Sequence, residues 1–352
     1  MNALEGKQKL RDFLHRHVPC VDQEMYAFLP EQEPYPFLYR PMRDYPSRGG
    51  KRFRAALVLL CCDALGGNIE HAMRTAAAFE ILQSFLLIHD DIEDDSEMRR
   101  GKPCLHKIYG VPLSVNVGDT LYAKVFEALL ANRPILGLER TMRLVGEMVR
   151  GCQITCEGQA YDIGWIRERV IPREDEFMTM LRKKTGWYSG RGPCAAGAIV
   201  AGVDGKKEGA IGNFGETMAI AFQIRDDLLN LTVGEEDAER APGATAGSYG
   251  KERGGDIAEG KRTLIIIDLF HKCTDQERKE VKEILDKDRS LNTPDEIEGI
   301  ISLLEKYGCL EYAQSVCEQK ARESEASLSI LPESESKEIL KEMLDFLISR
   351  DF

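Results

Sequence analysis

The chain has 352 residues, 43% hydrophobic and 30% charged, enough to bury a large core as one big domain or two smaller ones. Its net charge of −12 argues against a nucleic-acid surface and for a soluble protein, so an anionic ligand would need a metal or local basic residues. The longest apolar run, 76–88, is interrupted by Glu80 and Gln83 and is too short to span a bilayer, and the N-terminus has no apolar leader segment. The expectation is a cytoplasmic protein without a transmembrane segment. The ten cysteines show no paired spacing that suggests zinc, so free and mostly buried thiols are expected.

In chain order, residues 1–46 form a helical preface with amphipathic patterns at 4–13 and 21–29 and a connection rich in Pro and Tyr. Gly49-Gly50-Lys51-Arg52-Phe53-Arg54 follows and leads into the apolar run 55–65. Paired glycines let a backbone approach a ligand, and Lys51 and Arg54, three apart, would share a helical face. That pattern fits either a phosphate grip or a solvated helix start.

After the break Gly66-Gly67-Asn68, residues 72–94 form one long helix whose apolar run ends in His89-Asp90-Asp91-Ile92-Glu93-Asp94. Asp90 and Asp94 are four apart and share a face, where like charges repel unless something positive lies between them. Mg²⁺ supplies that charge and takes one or two carboxylates plus phosphates, whereas the alternative is an acidic helix end in solvent. The basic turn Met98-Arg99-Arg100-Gly101-Lys102-Pro103 closes this helix, as a diphosphate clamp or as a set of capping ion pairs.

Further helices are predicted over 114–130, 138–161, 174–189 and 209–231, and 197–203 suits a strand or a tightly packed helix equally. The helix at 209–231 delivers a second pair, Asp226-Asp227, just as the earlier one delivers Asp90 and Asp91. Residues 234–256 form a glycine-rich loop, either a linker or a mobile lid carrying Lys251. Beyond it, Lys261 leads into the apolar run 264–270, and amphipathic helices recur at 276–285, 294–307, 310–331 and 336–347. The fold class is therefore all-α, with one helical domain over 1–352 as the simpler account. No GxxxxGK[ST] loop is present, so phosphate chemistry here need not involve ATP.

With these motifs in place, the chain resembles the trans-type isoprenyl diphosphate synthases, the polyprenyl synthetase family, over nearly its whole length. The matching stretches are Gly49–Arg52 with Arg54, the DDxxD motif at Asp90–Asp94 with Arg99-Arg100-Gly101, Gly158-Gln159 with Asp162, Lys184-Thr185, Gln223 with Asp226-Asp227, Gly250-Lys251, and Asp256 with Lys261. The resemblance implies roughly ten core helices around a deep cavity, and a homodimer. It implies Asp90, Asp94 and Asp226 as Mg²⁺ ligands, several ions per site, with Asp91 and Asp227 completing the metal motifs. It implies Arg99, Lys184 and Lys251 on an allylic diphosphate (dimethylallyl, geranyl or farnesyl), Lys51, Arg54 and Arg100 on isopentenyl diphosphate, and Lys261 as a further diphosphate contact. Lys184, Thr185 and Gln223 would border the developing allylic cation.

Two departures stand out: Gln83 occupies a position where the family often has His, and Asn230 one where it often has Asp. Glutamine still donates to a phosphate oxygen, whereas losing the carboxylate at 230 would weaken the environment of one metal. Product length, by the same resemblance, comes from side chains one to two turns before Asp90: Ser84, Phe85 and Leu86. One aromatic at Phe85 without another at 86 implies geranylgeranyl diphosphate (C20), with farnesyl (C15) or geranylfarnesyl (C25) diphosphate as alternatives; a class I terpene cyclase and a non-catalytic subunit are the more distant rivals.

Overall fold

In a computed structural model of the chain, residues 7–232 and 253–349 are described, and Lys251 with most of the glycine-rich loop lies outside them. The architecture is all-α, with the helices packed around two apolar clusters. The preface forms α1 (Gln8–Ala27), a π-helical turn (Tyr35–Tyr39) and α2 (Arg40–Ser47). The two sequence patterns merge into α1 because Pro19 lies on its exposed face, where water can reach the carbonyl freed by the missing N–H.

Next come α3 (Phe53–Ala64) and α4 (Ile69–Glu93), where the Asn68 side chain caps α4 by accepting from the Glu70 N–H at 2.9 Å. A small antiparallel hairpin, β1 (Met98–Arg99) and β2 (Lys102–Pro103), stands where the sequence suggests a basic turn. It is followed by α5 (Leu105–Tyr109), α6 (Val111–Leu130), α7 (Arg133–Arg167) and α8 (Glu174–Leu181).

The helix expected over 174–189 does not continue as an α-helix: from Arg182 to Arg191 it is wound as a π-helix. Stretch 197–203 resolves as the end of a helix, α9 (Gly192–Ala201), whose Gly197 lies so close to α3 that a Cβ there would come within 2.5 Å of the Val58 carbonyl. The chain continues through α10 (Gly205–Thr232), α11 (Gly255–Ala258), α12 (Leu264–Lys272), α13 (Asp275–Leu285), α14 (Pro294–Lys306), α15 (Cys309–Ser327) and α16 (Glu335–Ser349). Most cysteines are buried and all are free, Cys20 and Cys156 being the exposed ones.

One apolar cluster joins α1, α3, α4, α6, α9 and α16, and the other joins α8, the C-terminal half of α10 and α12 to α15. Together they hold the C-terminal ends of α4 and α10 at a common cavity.

Candidate active site

A cavity of about 400 Å³ opens between the ends of α4 and α10, walled by α7, α8 and the π-helical segment. Its lining combines charged residues, Asp90, Arg99, Lys184, Asp226, Asp227 and Lys261, with apolar ones, Phe85, Leu86, Leu87, Phe177, Met180 and Phe222.

The helical period separates the aspartates of the first motif. Asp90 lines the cavity, and Asp94 lies within 3.5 Å of the Lys261 ammonium. Asp91 is fully buried, accepting from the Tyr45 hydroxyl at 2.5 Å and from Arg99 Nε at 2.9 Å, with Arg99 Nη2 closing a second bond. Arg99 in turn lies 3.7 Å from Asp90. The Asp91 carboxylate is thus paired with Tyr45 and Arg99 and does not line the cavity.

Around Asp90 the carboxylates and cations interlock. Gln159 donates to Asp90 at 3.2 Å and to Glu93 at 2.7 Å, and Lys184 donates to Asp162 at 2.5 Å while standing 3.7 Å from Asp90. The π-helical winding seats Lys184 against α7 at Gly158, where a Cβ would come within 2.2 Å of the Lys184 amide nitrogen. Lys261 reaches Asp94 and Asp256 at 3.5 Å and Glu259 at 2.7 Å. Burial pushes the Asp94 carboxyl up to about 6, with Lys261 pulling the other way and Asp90 adding to the rise. The charges of Asp162 and Asp90 outweigh burial at Lys184 and hold its ammonium charged.

On α10, Gln223 donates to Asp227 at 3.0 Å and its amide oxygen accepts from Thr185 Oγ1 at 3.4 Å. Asn230 is fully buried and its side-chain oxygen accepts the Asp256 N–H at 3.1 Å. It ties α11 to α10 and so sets where Asp256 and Lys261 stand.

The second basic group is spread more widely than the sequence suggests. Arg54 lines the cavity, donates to Ser189 at 2.6 Å and lies over the Tyr188 ring. Lys51 does not share a helical face with it. The helix starts at Phe53 after Arg52 at φ +52°, and the Lys51 ammonium lies 4.3 Å over the Phe346 ring. Arg100 donates to the Gly49 carbonyl, outside the cavity lining. Gln83 does line the cavity, and its amide oxygen is buried and unpartnered among the described residues.

Of the three residues that the resemblance links to product length, Phe85 and Leu86 line the cavity but Ser84 does not: it is buried and donates back to the Glu80 carbonyl at 3.0 Å. Residues one apart on a helix point about 100° from each other, which sends Ser84 into the packed side. The Phe85 ring contacts His89 at 4.8 Å and Tyr122 at 5.1 Å, and Tyr122 meets Phe126 edge-on, so α6 supports this wall. A Cβ at Gly118 would lie 2.2 Å from His89, so that glycine makes the space the His89 ring occupies.

Tyr45, Arg48, Glu93 and His89 are absent from the sequence-derived set. His89 precedes the DDxxD motif and Glu93 lies within it, so both were accessible to a helical-face argument; Tyr45 lies in α2 and Arg48 directly after it, in the stretch the sequence reads as a connection rich in Pro and Tyr.

Comparison with known proteins agrees with this geometry. The polyprenyl synthetase family model matches residues 35–304. A geranylgeranyl pyrophosphate synthase of Geoglobus acetivorans is 36% identical over 343 residues, covering 97% of this chain and 99% of the relative. A short chain isoprenyl diphosphate synthase of Methanothermobacter thermautotrophicus is 34% identical over 344 residues, with the same coverage. The crystal structure of geranylgeranyl pyrophosphate synthetase from Pyrococcus horikoshii superposes with a TM-score of 0.87 at 31% identity, covering 98% of this chain and 99% of that one. A cavity where two aspartate-bearing helices meet a ring of lysines and arginines, and a family match across most of the length, lead to one statement: the chain belongs to the polyprenyl synthetase family.

Proposed function

We propose that the protein is a short-chain trans-prenyltransferase that condenses isopentenyl diphosphate with allylic diphosphates, and that its main product is geranylgeranyl diphosphate. The observation that carries this is the mixed polarity of the cavity lining: aspartates and cations share it with apolar residues, Phe85 among them. A prenyl diphosphate has the same polarity.

Asp90, Asp94 and Asp226 are the carboxylates we assign to Mg²⁺. The donors fit: all are hard oxygens, and a buried carboxyl pushed up to about 6 gains from a divalent cation beside it. Bound Mg²⁺ supplies charge neutralisation and Lewis acidity toward the leaving diphosphate. Arg99 and Lys184, already charged and fixed by Asp91 and Asp162, bind and orient the allylic diphosphate, with Lys251 assigned by its motif. Lys261 pairs with Asp94 of the first motif and with Asp256, and we assign it to the same group. Thr185 Oγ and the Gln223 amide oxygen, joined by a hydrogen bond, present partial negative charge to the developing allylic cation. Asp227 acts through Gln223, orienting its amide. Arg54, Gln83, Lys51 and Arg100 are assigned to isopentenyl diphosphate; Gln83 keeps an amide N–H₂ for a phosphate oxygen. The apolar walls exclude water from the cation, and the departing pyrophosphate is a suitable acceptor for the proton released after the new bond forms.

A homodimer suits the exposed apolar stripe of α7, where Leu138, Met142 and Val149 share a face, and Val111 and Val115 of α6. No helix among the described residues is long and apolar enough to cross a membrane. The decisive experiment is incubation with labelled isopentenyl diphosphate, each allylic starter and Mg²⁺. Elongation to C20 that stops with EDTA is expected, whereas hydrocarbon release would indicate a cyclase and no turnover a non-catalytic subunit.

A further inference from the structure

The hairpin that carries Arg99 and Arg100 is too short to hold its own shape. Each strand has two residues, and isolated two-stranded hairpins are marginal even when longer. Its two central residues, Arg100 at φ +53° and Gly101 at φ +71°, both occupy the left-handed region, a pattern that favours Asn-Gly and makes Arg100 a poor fit by itself. Something outside the hairpin must fix it.

The structure supplies that from the preface. The Arg48 guanidinium, 1% exposed, donates to the carbonyls of Arg99 at 2.8 Å, Lys102 at 3.4 Å and Pro103 at 2.8 Å, and its Nε is held by Asp44 at 2.6 Å. A planar fork of five N–H groups is the side chain suited to several carbonyls at once. Arg48 also lies over the Tyr45 ring at 4.5 Å. The Tyr45 hydroxyl, in a side chain 2% exposed, donates to Asp91 and accepts the Leu105 N–H at 3.1 Å, just beyond the hairpin. Asp91 holds Arg99 by two bonds, and Arg100 reaches back to the Gly49 carbonyl.

We propose that α2 with Arg48 is a socket for this hairpin, and that Tyr45 and Arg48 are positioning residues for diphosphate binding. Tyr45 acts on Arg99 through Asp91, and so on the allylic diphosphate. Arg48 sets the backbone of the whole hairpin, and so both diphosphates. The assignment of Arg99 and Arg100 to diphosphates rests on the proposed function; the socket itself rests on the hydrogen bonds.

The test uses the full chain with Tyr45→Phe, Arg48→Met and, as a stability control, Leu304→Ala in the second apolar cluster, remote from the hairpin. Losing one hydrogen bond to a charged group predicts that Tyr45→Phe raises KM for the allylic diphosphate about tenfold and leaves KM for isopentenyl diphosphate within about twofold. Arg48→Met is expected to raise both KM values by a similar factor with a smaller change in kcat. Leu304→Ala should lower Tm and leave both KM values alone. If Arg48→Met does not fold, Arg48→Lys keeps the charge without the fork and is expected to show the same KM rise.

Calorimetric binding of pyrophosphate with Mg²⁺ separates the two levels of the proposal. Should the wild type bind pyrophosphate but not elongate, the functional reading falls, and weaker pyrophosphate binding in both variants still supports the socket. Unchanged KM values and unchanged pyrophosphate affinity in folded variants would sink the socket, as would a Leu304→Ala protein whose KM values rise in step with its loss of Tm.

Discussion

Single residues in this site act through where the helical period aims them. Phe85 lines the cavity and rests on His89 and Tyr122, while its neighbour Ser84 turns into the packed side. Phe85→Ser removes the ring and leaves the next layer, Tyr122 and Phe126, as the limit. The expected outcome is a shift from C20 toward C25 and longer products with little change in the first condensation, read by chromatography of the dephosphorylated alcohols; an unchanged profile removes Phe85 as the boundary. At Asn230 the period places an amide in full burial, accepting from the Asp256 N–H. Asn230→Asp keeps that acceptor but adds a buried negative charge among Asp227, Asp256 and Lys261, which line the same small recess. The expected cost in EDTA is about 1–3 kcal/mol, measured by thermal melting and reduced when Mg²⁺ is added. A variant as stable as the wild type in EDTA would mean the recess already accommodates a third carboxylate.

Elements meet here at distances that only glycine permits. A Cβ on Gly190, at the end of the π-helical segment, would lie 1.8 Å from the Gly215 carbonyl of α10, and one on Gly215 would lie 2.3 Å from the Gly190 carbonyl. Backbone atoms cannot yield as side chains do, so Gly190→Ala is expected to destabilise the fold by about 3 kcal/mol, measured by urea unfolding. A loss below about 1 kcal/mol would show that the crossing can spread apart. This crossing also marks what the sequence could convey. The helices α4, α6 and α10 were legible because apolar residues recur at helical spacing and aspartates end two of them. The π-helical winding of 182–191 was not, since a short stretch of different pitch leaves the residue pattern almost unaltered, and the segment packs against Gly158 and Gly215. Asp90, Asp226, Asp227, Lys184, Lys261 and Arg54 line one cavity, whereas Lys51 and Arg100 lie outside its lining because the backbone turns at Arg52 and Arg100. Tyr45 and Arg48 stayed hidden because the groups that link them to the hairpin, Asp91 and the Arg99 carbonyl, lie more than forty residues away in sequence.

At the scale of the whole molecule, the charged groups of the cavity couple folding to pH. The folded pKa of Asp94, about 6, lies above the ordinary carboxylate value near 3.9 that holds in the unfolded chain. Burial is the main cause, with Asp90 and Glu259 adding to it against Lys261 and Lys184. Between about pH 4 and 6 the folded state therefore binds more protons than the unfolded state. Stability contributed by this group is present below about pH 4 and is lost as pH rises through 6. Other groups titrate in the same range, so the informative quantity is the difference from Asp94→Asn, which lacks the titration. In EDTA, the wild-type Tm should fall relative to that variant between pH 4 and 7. With Mg²⁺ and pyrophosphate the relative slope should reverse, because the ionised carboxylate binds the cation and a ligand held only by the folded state stabilises it by mass action. Parallel melting curves for the two proteins under both conditions would mean that Lys261 already neutralises Asp94 fully and that its burial carries no cost.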